Sequence, residues 1–587
     1  MKIKHLFGLA VIAAMTASCS SNEDLGTAGP GTGTNEAGVG YATFSINLPT
    51  TSGPRAAGDP EFDHGSDYEY KVNDATLLIF KQGKATKEGD YTFVESAELG
   101  SMAPWKDPSE TGVTTHAKIT AKLEHVDKTD GYYALVLLNN GTGTNTKVAL
   151  PTTPTTEGEG MKFSDWNAVA NAKAKDIANY TNGFYMANAP LFKDNKVTTL
   201  VAIDQNKIYP TEEQAAKSAA TDVYVERGLA KVTLKTGTAA GMTDDNYTVT
   251  GVTYKGDKVT IKNWALDVTN TKTFPIHNVD GLSDDYTNIW SNTDTPAGSN
   301  GANTQRFVDN NKDTKAKRVY WGKDPNYDNT DLCDTKDADK KALKAEFNYV
   351  ANEDVTAKPN TSLYCLENTF NLANMMQGQT TRVVFKAKYI PNGIAENTNF
   401  YKIGKNTAIW NEDNLVKEIE AAVASVVSGA AGKITVTLNA GAGKNNITAA
   451  GTHYITKDNI AVTGVETISD ENIKAINTQL GLKESEKVGI STYAGGESYY
   501  IARIKHFGDA LTKWESGTYG EKNLEYLGRY GVLRNNWYEL TVQSVSGPGY
   551  PSVPEVKPST PDDEDDNYIN VSVKILDWAK RSQDVNL

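Results

Sequence analysis

The chain has 587 residues, a length that suggests two or more domains. Its formal net charge of −14 argues against binding nucleic acid or an anionic membrane by charge. With 29 Tyr against 8 Met, frequent Thr and Val, and Gly and Asn as punctuation, the composition favours β-rich domains with long polar loops.

Residues 1–18 read as a signal peptide. Lys2, Lys4 and His5 form a polar start, and Leu6–Met15 is an apolar core too short to cross a bilayer. Thr16-Ala17-Ser18-Cys19 resembles a bacterial lipobox, which makes Cys19 the lipidated residue and 1–19 the leader. Thr16 stands where an aliphatic residue is usual, and the alternative is ordinary cleavage near Ala17. The run Ser20-Ser21-Asn22-Glu23-Asp24 looks like a surface-export signal of some Gram-negative lipoproteins. A Gly/Thr/Pro linker occupies 20–39.

Tyr41–Leu48 alternates: Ala42, Phe44, Ile46 and Leu48 share one face, while Thr43, Ser45 and Asn47 share the other. That period predicts a half-buried strand. A loop of small residues follows, with Arg55 as its one basic position and Ala56 next to it. Exposed loops of this kind are favoured nicking sites. Arg55 is therefore either a plain surface arginine or a protease site that severs segment 40–55 from the rest.

Val72–Phe80 reads as a buried strand, Ile119–Leu123 alternates, and Tyr132–Leu138 is a continuous apolar run ended by Asn139-Asn140-Gly141. Ser164 is the expected cap of a short helix over Asp165–Lys175. Phe184–Phe192 and Val223–Leu234 are further strand-like elements. Short strands separated by turn signals point to a β-sandwich, placed at 56–236.

A second β-sandwich is expected over 237–546. Its strands are read at Val249–Tyr254, Val259–Val268, Val383–Tyr389, Tyr499–His506 and Trp537–Val545. Helices are expected over Asn411–Val427 and Asp470–Leu480, the latter capped by Ser469 and stopped by Gly481. Asn278–Asp339 reads as polar surface loops with little core. Asp309 and Asp313 lack the spacing of an EF-hand loop, so no metal site is assigned. Cys333 and Cys365 are either a disulfide pair or two unrelated thiols.

The last segment, 547–587, begins with a Gly/Pro-rich stretch that ends in the acidic run 562–566. It reads as a solvated spacer of roughly 20 residues, reaching up to about 65 Å when fully extended. Tyr568–Trp578 follows, with Ile569, Val571, Val573 and Ile575 on one face. A lone strand is unstable in water and needs a sheet to join. Leu576 and Trp578 change the phase of the alternation after Ile575, which predicts a bulge or twist there and Trp578 as a plug of a pocket at the strand end.

No catalytic constellation stands out. The seven histidines are scattered, without zinc spacing on a helix, and no Gly-x-Ser-x-Gly elbow occurs. Gly441-Ala442-Gly443-Lys444 lacks the first glycine and the final Ser or Thr of a phosphate loop. His506 reads as structural. The expectation is a non-enzyme without cofactor.

Arg529-Tyr530-Gly531-Val532-Leu533-Arg534-Asn535-Asn536-Trp537-Tyr538-Glu539-Leu540 resembles the hallmark of the type V pilins, the FimA/Mfa fimbrillin superfamily. Val225-Glu226-Arg227, the stretch Tyr364–Phe370 and the terminal Ile575-Leu576-Asp577-Trp578 are also similar to family segments. The likeness is strongest to the shaft subunit of the short fimbria. It implies two tandem transthyretin-like, Greek-key β-sandwiches and a C-terminal donor strand. It also implies export as an outer-membrane lipoprotein, cleavage after Arg55 by an Arg-specific protease, and loss of the first strand. The tail of a neighbouring copy then fills the vacated groove in a head-to-tail filament that joins anchor and tip subunits and supports adhesion and biofilm formation. The scheme requires an apolar furrow beneath 41–48 and a tail not locked inside its own core. The competing reading is a fimbrial anchor or tip subunit, or a glycan-binding surface lipoprotein with Trp264, Trp290 or Trp321 as stacking platforms.

Overall fold

The computed structural model describes residues 33–47, 67–101, 116–126, 130–143, 145–152, 160–170, 176–193, 196–218, 220–235, 246–249, 251–279, 317–319, 321–333, 341–506, 527–562 and 569–577. The chain is mainly β with few helices. In chain order the first sheet uses β1 (Gly40–Asn47), β2 (Ala75–Lys81), β3 (Thr92–Glu98), β4 (His116–Leu123), β5 (Tyr132–Leu138), β6 (Met186–Asn188) and β7 (Thr221–Arg227). They lie in the order β3-β2-β5-β6-β7-β1-β4, with Val201–Ala202 paired onto β5. Leu77, Leu78, Phe80, Leu135, Val136, Leu137, Val223 and Val225 are buried in one core. Three helical pieces accompany this sheet: α1 (Asp67–Tyr70), α2 (Phe163–Ala170) and α3 (Glu212–Ala216). α2 begins earlier than predicted, because the Trp166 amide already donates to Lys162 O at 3.0 Å. Ser164 therefore sits inside the first turn instead of capping it.

The stretch read as one strand over 223–234 is two. Gly228 breaks it, since a Cβ there would stand 3.0 Å from Tyr185 Cδ1 and 3.1 Å from Ile177 Cγ2. After the break the chain enters a different sheet, one strand before the expected boundary at 236. The second unit contains β8 (Leu229–Lys235), β9 (Asn246–Thr248), β10 (Lys258–Asp267), β11 (Ser362–Leu366) and β12 (Arg382–Ile390). It also receives β16 (Glu497–Arg503), β17 (Asn536–Val545) and β18 (Ile569–Asp577) from further along the chain. Two four-stranded sheets result, β11-β8-β17-β18 and β9-β10-β12-β16. Val232 and Leu540 from one, and Ile261, Phe385 and Tyr500 from the other, share a single core.

Between β12 and β16 lies an inserted unit with a core of its own. β13 (Phe400–Ile403), β14 (Gly451–His453) and β15 (Ile490–Tyr493) form its small sheet. Two helices cover it, α4 (Glu412–Val426) and α5 (Asp470–Gln479), with Leu415, Ile419, Val423 and Ile476 buried between them and the sheet. Asn411 Oδ1 accepts from the Asn414 amide at 2.9 Å, and Ser469 Oγ from the Asn472 amide at 3.2 Å. Gly481 closes α5 at φ +73°. Both helices match the sequence expectation; their separate core was not anticipated.

The stretch 278–339 also departs from expectation where it is described. Val319, Trp321 and Tyr327 are buried with Phe370, Met375, Leu527 and Leu533 in a satellite core. Trp264 and Trp321 are fully buried, which removes both as glycan platforms; Trp290 lies outside the described residues. Of the segment 249–254, read as strand, the described residues 249 and 251–254 form no strand, and 253–254 lie in a turn. Cys333 and Cys365 are free thiols.

Candidate functional site

β1 lies inside the first sheet. It runs parallel to β7, with Phe44 opposite Thr221 and Ile46 opposite Val223. It runs antiparallel to β4 from the Gly40–Leu123 pair to the Asn47–His116 pair. Ala42, Phe44 and Ile46 are at most 1% exposed and point into the first core. An apolar furrow therefore exists beneath these three predicted residues. Leu48, Arg55 and Ala56 lie outside the described residues, as do Cys19 and the leader.

The opposite face of β1 is also covered, which alternation alone does not reveal. Thr43 Oγ1 bonds Ala215 O of α3 at 2.8 Å and Thr120 Oγ1 of β4 at 2.8 Å. Ser45 and Asn47 are buried beside it. The berth thus accepts large apolar side chains inward and short polar ones outward.

The tail is paired with its own chain. β18 is the edge strand of the second unit and runs antiparallel to β17. Ile575, Val573 and Val571 stand in register with Tyr538, Leu540 and Val542, and Ile569 with Val545. Those four β17 residues are buried in the second core. The register shift falls between Val542 and Ser544, opposite Val571 and Asn570. Pairing runs unbroken from Val571 through Asp577, so no bulge falls at Leu576. Trp578 lies outside the described residues.

Over residues 547–562 the stretch read as a solvated spacer is docked on the rest of the chain. Gly547 O accepts from Tyr500 Oη at 2.9 Å, Gly549 O accepts from Tyr493 Oη at 2.8 Å, and Tyr499 and Tyr550 exchange backbone bonds of 2.8 Å. Arg382 Nη2 donates to Pro554 O at 2.6 Å, and Val556 is buried. Asp562, the first residue of the acidic run, is only 2% exposed. Its carboxylate takes a 2.5 Å bond from Thr380 Oγ1 and lies 3.2 Å from Arg503 Nε. Composition predicts solvation, but a carboxylate with a guanidinium and a hydroxyl waiting for it is retained in the interior. Only residues 563–568 separate this clamp from β18.

The segments that carry the pilin resemblance meet at the junction of the two sheets. Arg534 Nε donates to Glu367 Oε2 at 3.1 Å, and its Nη2 reaches Thr273 Oγ1 and Phe274 O, each at 2.9 Å. Asn368 and Val532 exchange backbone bonds of 2.7 and 2.8 Å. Asn535 Oδ1 accepts from the Arg227 amide at 3.2 Å. Glu69 of α1 is fully buried between Lys231 Nζ at 2.8 Å and the Tyr364 hydroxyl. Glu226 holds His277 Nδ1 at 2.7 Å. Burial opposes the imidazolium, but the Glu226 and Glu367 charges outweigh it and raise His277 above the ordinary histidine value. These residues pair with one another, so the shared motif residues weld the two units. His506 is likewise internal, bonded through Nδ1 to Tyr538 Oη at 2.8 Å.

Among the described residues no group of three or more His, Cys, Asp or Glu is placed to hold a metal ion, and no helix is long and apolar enough to cross a membrane.

Several solved structures align with most of the chain but superpose loosely. A proposed cell adhesion protein from Parabacteroides distasonis is 10% identical with a TM-score of 0.35, covering 92% of this chain and 98% of that one. A second, from Bacteroides eggerthii, is 11% identical with a TM-score of 0.32, covering 95% and 100%. The tip fimbrial protein Mfa3 from Porphyromonas gingivalis, truncated at its C-terminus, is 10% identical with a TM-score of 0.24, covering 92% and 100%. Superpositions this loose establish neither fold nor activity. No curated protein matches the chain. Residues 491–584, from β15 through β18, match the family model described as major fimbrial subunit protein type IV, fimbrillin, C-terminal.

Proposed function

We propose that this chain is a structural shaft subunit of a bacterial cell-surface fimbria. The precursor is exported as a lipoprotein through Cys19 and cut after Arg55. Copies then join head to tail when residues 569–577 of one molecule occupy the berth of residues 40–47 in the next. The fimbrillin match over 491–584 supports the class. The exchange rests on the placement of β1. It is hydrogen-bonded on both sides and buried on both faces, and it lies wholly on the N-terminal side of Arg55. After the cut, nothing covalent retains it. Its loss would leave β7 and β4 with unpaired backbone groups above an apolar furrow, an arrangement that strand addition satisfies. Contacts between unlike surfaces build an open filament.

The tail pairs with β17 in the unassembled chain, so assembly includes its release from that edge. One neighbouring strand, as opposed to two, makes release the easier step. With the strap docked through Asp562, the six residues 563–568 reach about 20 Å, against about 65 Å for a free spacer. The neighbour's furrow therefore docks close to Asp562, or the strap lifts. An outgoing strand favours a shaft role over a tip. Arg55→Ala tests the scheme: it leaves an uncleaved chain that retains β1 and stays monomeric on a detergent gel. Normal fibres from that variant would refute processing at this arginine.

A further inference from the structure

The inserted unit between β12 and β16 carries an open cleft of about 390 Å³, within the size range of small-molecule sites. Ile403, Leu480 and Val488 supply its apolar lining, and Trp410 stands half-buried among them. The ring is held by its backbone, because Trp410 and Tyr401 exchange bonds of 2.8 and 2.9 Å.

The indole of Trp410 differs from those of the other described tryptophans. Trp166 donates its Nε1–H to Ala149 O, Trp264 to Lys358 O, Trp321 to Tyr327 Oη and Trp537 to Thr233 Oγ1. Trp410 has no such partner among the described residues. Tryptophan is an amphipathic residue that combines a broad apolar face with one polar edge. Here the indole packs against the core of the inserted unit and also lines the cleft, with its Nε1–H not spent on a hydrogen bond among the described residues.

The charges around the cleft cancel. Lys405 and Lys483 lie 3.8 and 3.0 Å from Glu486, and Glu418 completes two positive and two negative side chains. A site with no net charge selects neither an anion nor a cation. Gln479 adds an exposed amide that can donate and accept, and Asn406, whose Oδ1 accepts from the Ala408 amide at 2.9 Å, adds its Nδ2 donors, a set that matches vicinal hydroxyls. At Gly481 a Cβ would meet nothing within 4 Å, leaving the backbone open to the cleft.

We propose that this cleft binds a neutral saccharide, with a sugar face stacked on Trp410 and its hydroxyls on the Nε1–H, Asn406, Gln479 and Glu418. The inference does not depend on strand exchange, since it concerns the unassembled chain. The test is an array of neutral, sialylated and sulfated glycans probed with the full-length monomer. Neutral glycans are expected to bind, Trp410→Ala to weaken them at least 10-fold, and Trp410→Phe to retain most of the signal. Gln479→Ala, at an exposed position, weakens binding several-fold without touching the core, so a folding defect at Trp410 is distinguishable. Absence of any neutral ligand, binding confined to the acidic glycans, or signals unchanged in both Trp410→Ala and Gln479→Ala would each overturn the proposal.

Discussion

The first strand and the last share an alternating apolar pattern but are held in different ways. β1 has hydrogen-bonded neighbours on both sides and a helix over its polar face. Among the described residues β18 has one neighbour and ends its sheet. An interior strand is lost only by disrupting a sheet, whereas an edge strand peels away and leaves its neighbour as the new edge. The same pattern therefore makes a firm occupant in one place and a detachable one in the other. That asymmetry suits an exchange in which the interior berth is emptied by proteolysis and refilled by a strand that leaves an edge.

Three variants sharpen the comparison. Phe44→Asp has the largest expected effect. It removes a fully buried ring and places a carboxylate in the first core, costing at least about 4 kcal/mol. Thermal denaturation of the uncut chain should show the first unit unfolded, and an unchanged midpoint would mean that β1 contributes nothing to that core. Asp562→Ala comes next. Removing one partner of a buried ion pair costs about 3 kcal/mol, and here the loss is local because the strap lifts. Amide exchange across 547–562 should quicken roughly 100-fold, since each 1.4 kcal/mol is about a factor of 10. Unaltered protection would show that the clamp does not hold the strap. The double change Val571→Asp with Val573→Asp has the smallest effect on the monomer, below about 2 kcal/mol, because it strips an edge strand. Its effect on assembly is complete, with no ladders in mild detergent gels. A monomer that fails to fold would make β18 an integral part of the second core.

Sequence alone made parts of this architecture legible, and the reasons are specific. Period-two alternation located β1 and β18, and a continuous apolar run located β5; the inward residues of β1 and most of β5 lie in the first core. Ser469 and Gly481 marked α5 through capping chemistry that is local to a few residues. What escaped depends on partners distant in the chain. Asp562 reads as one acid in a solvated run, yet Arg503 and Thr380 bury it. Val319 and Trp321 sit in a polar, Asn-rich stretch, yet Phe370 and Leu533 complete a core around them. The stretch 223–234 reads as one strand, yet Tyr185 and Ile177 crowd the place where a side chain at Gly228 would go. Of the proposed site, the apolar positions of both strands were visible. The α3 cover over Thr43 and the tail's resting place on β17 were not, because neither leaves a periodic trace.

The identity of the strand lying between β4 and β7 in an assembled fibre tests the account most directly, and cryo-electron microscopy at side-chain resolution reads it. The account predicts residues 569–577 of the adjacent subunit in that position, with 40–47 gone. Density for the subunit's own residues 40–47 there would contradict it.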